Sequence, residues 1–358
     1  MARYIVRRSI QSFFLIWLAT LIGFTIYQLA PGGPLQFLDD DPKATSADAN
    51  RLTDIYGLNR SVFVQYIVWL TGEDWLPNNL TWRSGLCLAD SSRCVHGIIR
   101  LDFGRSFFFK GQPAIDVIVE RIPASFVLAF SSLIISVVGG VPLGIYAALK
   151  RGKLPDHFIR VSTVLVNTVP HWWLGLLLLI VLGGFLGLVP LSGMQTIGVD
   201  PPTSIFDVNG WAEFLRDRLH HLILPATVSA IGGWIGFSRI LRFEMLEVLN
   251  LDYVRTARAK GVPERLVIWR HVLRNAIMPF VTGLSSIFLL VISGSVLFET
   301  VFSWPGMGRL FITSINARDF PVMMALFVIG SFLGIMGILM VDILYSFVDP
   351  RVKYDIVS

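Results

Sequence analysis

The chain has 358 residues, 54% of them apolar and 15% charged, and carries a net charge of +5. A soluble globular domain usually has roughly 25% charged residues, so the composition excludes an ordinary water-soluble domain and points to lipid. No basic and aromatic stripe or nucleic-acid motif accompanies the positive charge, which therefore reports topology and anionic headgroups and not a nucleic-acid partner.

Six apolar runs, 9–30, 124–149, 159–189, 222–242, 276–298 and 322–347, reach the roughly 20 residues that cross a hydrocarbon core. They predict an all-α membrane protein, because lipid offers no partner to free backbone groups and the runs lack the period-2 pattern of barrel strands. The first run follows Arg3, Arg7 and Arg8. It is longer than the apolar part of a secretory signal and lacks a clean cleavage site, so it reads as a retained helix.

Segment 31–123 opens on Pro31-Gly32-Gly33-Pro34, a turn that ends the first helix, and is polar enough for a small external cap. It holds a helical stretch around 47–56, a Trp- and Asn-rich loop, and the chain's two cysteines, Cys87 and Cys94. An external loop meets an oxidising environment, so the pair reads as a disulfide, with two reduced thiols as the alternative. Only His96 lies nearby, which is too few ligands for structural zinc.

Run 159–189 is longer than a span needs, and Asn167-Thr168-Val169-Pro170-His171 interrupts it near its middle. Pro170 removes a helix hydrogen bond and predicts a kink. Polar groups at membrane depth are functional candidates, so Asn167 and His171 either face a path or make polar helix–helix contacts. In the fifth run, Ser285, Ser286, Ser293, Gly294 and Ser295 are small enough for close helix approach, with path lining as the second use. Glu299 ends that run and reads as an external residue paired with Arg309 or Arg318, and Asp342 reads as locally paired.

Lys and Arg of the short loops fall on one side of an even number of spans, which makes that side cytoplasmic and places both termini there. Residues 1–30 then form the cytoplasmic N-terminus and first span, 124–347 a membrane core, and 348–358 a cytoplasmic tail. Within the core, segment 244–275 is basic and broken by Gly261 and Pro263. Leu246, Leu249, Tyr253 and Ala257 form one predicted stripe; Leu266, Trp269, Leu273 and Ala276 form a second. Gly261 sits as a helix C-cap and Pro263 suits the first turn of the next helix, so two short helices meet at a corner. Two readings stand: a basic loop against water and headgroups, or a docking knob for a cytoplasmic partner.

The run Asp252-Tyr253-Val254-Arg255-Thr256-Ala257-Arg258-Ala259-Lys260-Gly261 resembles the coupling segment of ABC importer permeases in their dipeptide, oligopeptide and nickel branch. The general signature is Glu-Ala-Ala, three residues, then Gly; Ala257 and Gly261 match, while Arg255 and Thr256 stand at the first two places. His271-Val272-Leu273-Arg274 replaces Ile-x-Leu-Pro, a departure typical of that branch. Pro31-Gly32-Gly33-Pro34, Asp102-Phe103-Gly104-Arg105-Ser106, the run from Glu299 to Arg309 and Asp349-Pro350-Arg351 carry the resemblance along the chain. The last two are similar to the first of two paired permeases, and 75–95 reads as an insertion.

The resemblance implies a type I permease fold in a bacterial or archaeal cytoplasmic membrane. It implies half of a peptide path, paired with a homologous second permease, two ATPase subunits and an external solute-binding protein. Arg255, Thr256, Ala257, Arg258, Ala259, Lys260, Gly261, Pro263 and Glu264 would couple to the ATPases, with Ala257 and Gly261 permitting close backbone approach. Asn167, Pro170, His171 and Ser293 would belong to the path. Relatives import nickel chelates or oligosaccharides, which leaves the cargo open. A secondary transporter or membrane enzyme is the reading of another class, but midplane carboxylates and an internal repeat are missing. The chain has no phosphate-cradling loop, no metal-ligand set and no catalytic triad, so ATP and magnesium would be bound by partner subunits.

Overall fold

A computed structural model describes residues 2–29, 50, 53, 58–74, 94, 96–202, 204, 207–277 and 295–348. The fifth predicted span lies mostly outside these residues, as do Cys87 and Ser293. Helices dominate: α1 (Ala2–Leu29), α2 (Val62–Thr71), α3 (Ala114–Val119), α4 (Ile122–Leu149), α5 (Leu154–Thr168), α6 (His171–Leu178) and α7 (Val208–Val248). They continue as α8 (Asp252–Ala259), α9 (Glu264–Leu266), α10 (Leu273–Ala276), α11 (Val296–Val301), α12 (Met307–Asn316) and α13 (Phe320–Val348). Two stretches, Leu179–Phe185 and Val267–Val272, are π-helical.

Among the described residues, four helical stretches are long and apolar enough to cross a membrane, and the bent pair α5 and α6 makes a fifth candidate. The break falls where the sequence predicts a kink, but it turns by 86°. Val169 is extended (φ −91°, ψ 128°), as a residue before proline prefers, and Pro170 serves as N-cap of α6. Pro142 and Pro225, in contrast, sit inside continuous helices.

The chain forms two compact units. The first comprises 1–123 and 310–339. Phe24, Tyr66 and Met324 form its buried cluster, and the Thr20 and Tyr66 hydroxyls lie 3.0 Å apart. Cys94 is buried and disulfide-bonded. Buried Asp319 accepts a hydrogen bond from the Ser106 hydroxyl and another from the Phe107 N–H at 3.1 Å. The loop after Asp102 is thereby tied to the start of α13.

The second unit comprises 124–309 and 340–358. Here α4 packs on α7, and Trp234 Nε1 donates to the Ile135 carbonyl at 2.6 Å. Gly140 permits this approach, since a Cβ there would lie 2.9 Å from the Phe237 Cβ. Asp156, buried near the start of α5, takes a two-pronged bond from Arg242 of α7 at 2.7 and 2.9 Å. Farther along α7, Leu241, Met245 and Val248 share a core with Val254, Ala257, Val267, Val272 and Ala276.

Candidate functional site

The basic corner is built on that shared core. In α8 the buried residues are Val254 and Ala257, while Tyr253, placed on the apolar stripe by sequence, is exposed. Ala257 therefore packs into its own chain, which corrects the expectation that it offers close approach to a partner. Arg255, Thr256, Arg258, Ala259 and Lys260 form the outward face.

The helix ends as predicted, on Gly261 at φ +75°. Its N–H reaches the Arg258 carbonyl at 3.0 Å, and the Val262 N–H reaches the Ala257 carbonyl at 3.2 Å. Pro263 then caps α9. Arg258 closes the turn on Glu264 with bonds of 2.7 and 3.1 Å. That bond holds the Glu264 carboxyl below its ordinary pKa and Arg258 above its own, despite opposing desolvation. Behind the corner, Asn275 Nδ2 donates to the Tyr253 hydroxyl at 2.6 Å, and that hydroxyl donates to the His271 carbonyl at 3.2 Å. The result is a cross-braced elbow.

The second predicted stripe holds at Leu273 and Ala276, which lie in or against that core, but not in its first half. Val267 and Val272 are buried, five residues apart, whereas Leu266 and Trp269 are exposed. An i to i+5 turn brings residues five apart onto one face, so the π-helical segment rotates the stripe that α-helical spacing predicts.

A cavity of 430 Å³ opens between α4, α7 and the start of α11. Its wall is mostly apolar, with Ser125, Ser132, Ser136, Ser229 and Ser295 supplying hydroxyls and Glu299 at its edge. Gly232 also lines it, and His171 lies alongside, its Cε1 and Nδ1 each 3.4 Å from where a Gly232 Cβ would stand. His171 Nε2 and Ser229 Oγ are buried without a hydrogen-bond partner among the described residues. Asn167 is exposed.

Glu299 meets Arg309, as the sequence suggests, but through that residue's main chain. It is fully buried and organises a turn: its carboxylate accepts from Ser125 Oγ (2.7 Å), the Ser295 N–H (3.2 Å) and the Arg309 main-chain N–H (3.0 Å). The Arg309 guanidinium reaches the Ser303 carbonyl at 2.6 Å. Trp304, also fully buried, donates to the Ala124 carbonyl at 2.8 Å. Sequence reading missed this hub, although the closely spaced Glu, Trp, Pro and Gly residues of 299–309 were its signal.

Residues 140–354 match the family described as binding-protein-dependent transport system inner membrane component. Residues 1–129 match the N-terminal family of the same membrane components. The chain belongs to this family. It is 37% identical over 354 residues to the oligopeptide transport system permease protein AppB of Bacillus subtilis (strain 168), covering 99% of this chain and 100% of that protein. It is 34% identical over 339 residues to the probable D,D-dipeptide transport system permease protein DdpB of Escherichia coli (strain K12), covering 93% and 92%. A putative peptide permease protein of Brucella ovis is 35% identical over 355 residues, covering 99% of each chain. The protein is thus an inner-membrane permease subunit of a binding-protein-dependent ABC importer, and the elbow and the cavity are the permease's two candidate working parts.

Proposed function

We propose that this permease forms half of a peptide-import path and transmits ATPase closure through the elbow at Gly261. The names of its relatives support a peptide cargo. The cavity supports a path, since its apolar wall and scattered hydroxyls suit varied side chains. His171, Ser229 and the break at Pro170 belong to that proposed path, with Asn167 and Ser293 as further candidates.

The elbow carries the coupling assignment. A braced, exposed turn transmits displacement where a loose loop absorbs it. The proposed complex contains a homologous second permease, two cytoplasmic ATPase subunits that hold ATP and magnesium, and an external solute-binding protein. Both termini then face the cytoplasm, and Cys94 pairs with Cys87 in the external cap.

The test is Gly261→Val in the reconstituted complex. A β-branched residue at φ +75° costs roughly 1–3 kcal/mol locally, and ATP-driven peptide uptake should fall at least about tenfold, a coupling loss of the usual allosteric size. Gly261→Asn, which tolerates the left-handed conformation, should keep most of it. Wild-type uptake and ATPase retention in the Val variant would remove the coupling role. Uptake of nickel chelates but no peptide by the wild-type complex would overturn the cargo.

A further inference from the structure

The face displaced by the π-helical segment is exposed among the described residues. Leu266 and Trp269 are 50% and 62% exposed. Arg265, Arg270 and Arg274 are exposed around them. The nearest carboxylate in sequence, Glu264, is already held by Arg258. The face therefore combines an aromatic and an aliphatic side chain with exposed positive charge that no described carboxylate neutralises.

Its position in the chain supplies the occupant. Trp269 precedes the apolar run that begins at Ala276 by only seven residues, which at about 1.5 Å per helical residue is roughly 10 Å, near the depth of a headgroup layer. Tryptophan favours that layer, and arginines on the cytoplasmic side meet anionic lipid there. We infer that Leu266, Trp269, Arg265 and Arg270 bind the anionic phospholipid headgroups of the cytoplasmic leaflet. The basic segment thus divides its work: α8 and Gly261 face the ATPase, and the stretch after Pro263 seats the elbow on the membrane. The inference rests on the orientation proposed above.

The chain's only cysteines are Cys87 and Cys94, so Trp269→Cys, at an exposed site, provides a single added thiol for a polarity-sensitive fluorophore. The full complex is reconstituted in vesicles containing phosphatidylglycerol and in vesicles of phosphatidylcholine alone, each with a headgroup-attached spin-label quencher. Phosphatidylglycerol should shift the emission to the blue and allow quenching. Arg265→Gln and Arg270→Gln should each weaken this lipid contact about fivefold, the effect of losing one basic residue near a charged surface. Leu266→Cys should report the same contact. A probe that is water-exposed in both vesicles overturns the inference. So does a probe shielded only while the ATPase subunits are bound, which assigns the face to them. Labelling of the Trp269→Cys thiol by an impermeant reagent from the external side overturns the orientation itself, a result separable from the other two.

Discussion

Glu299 and Gly261 each govern a turn in a motif-rich segment of the permease, but the turns are held in opposite ways. Glu299 is buried, and three donors from Ser125, Ser295 and Arg309 converge on its carboxylate. Gly261 is exposed, and its turn is closed by two main-chain bonds and a surface ion pair. A buried hub is costly to disturb because each abandoned donor keeps its desolvation penalty, whereas an exposed elbow hands its donors to water. Motifs of one family therefore serve two ends: residues near Glu299 hold the fold, and residues near Gly261 are free to meet a partner.

Glu299→Ala tests the buried side with the largest effect. It removes the acceptor of the Ser125 O–H and of the N–H groups of Ser295 and Arg309. At about 1–3 kcal/mol for each unsatisfied donor, with incomplete additivity, the loss should reach at least about 3 kcal/mol. Thermal unfolding of the purified permease should show a large drop, and Glu299→Gln, which keeps the acceptor oxygen, a smaller one. Unchanged unfolding in the Ala variant would mean that the two turns do not differ as described.

Asp156 offers an intermediate case. Its side chain is 1% exposed and that of its partner Arg242 is 21% exposed. Asp156→Asn leaves a guanidinium half-compensated; a fully buried pair loses about 3–5 kcal/mol when broken, and the partial exposure of Arg242 lowers the expected cost to about 2 kcal/mol. Replacing both residues with apolar ones should recover part of that loss. A double variant less stable than Asp156→Asn would break the argument.

What sequence revealed follows the same division. The spans that fall within the described residues, the interruption at Pro170 and the cap at Gly261 were legible because hydropathy, proline and glycine act locally. The burial of Glu299 was not legible because Ser125 lies 174 residues away in sequence, and burial by distant residues leaves no periodic trace. The Leu266 and Trp269 stripe was misassigned because a π-helical turn changes the period on which the reading depends. Pro225 warns against reading every proline as a break: α7 continues through it, with Thr227 Oγ1 donating to the Ile223 carbonyl at 2.6 Å.

The smallest effect belongs to the ion pair of the elbow. Arg258, by hydrogen bonding, lowers the folded-state pKa of Glu264 from the ordinary 4.5. A carboxyl whose folded pKa is depressed stabilises the fold above its unfolded value, and this contribution is lost as pH falls through the folded one. The window therefore lies below pH 4.5. Both side chains are substantially exposed, 41% for Arg258 and 55% for Glu264, so the pair contributes only about 0.2–1 kcal/mol and weakens with salt. Hydrogen exchange at the Gly261 and Val262 amides, corrected for its intrinsic pH dependence, should accelerate below that pH in the wild type more than in Glu264→Gln, while global unfolding of the two proteins stays the same. Equal acceleration in both would show that the turn's main-chain bonds alone hold the elbow, and its bracing would then rest on Tyr253 and Asn275 behind it.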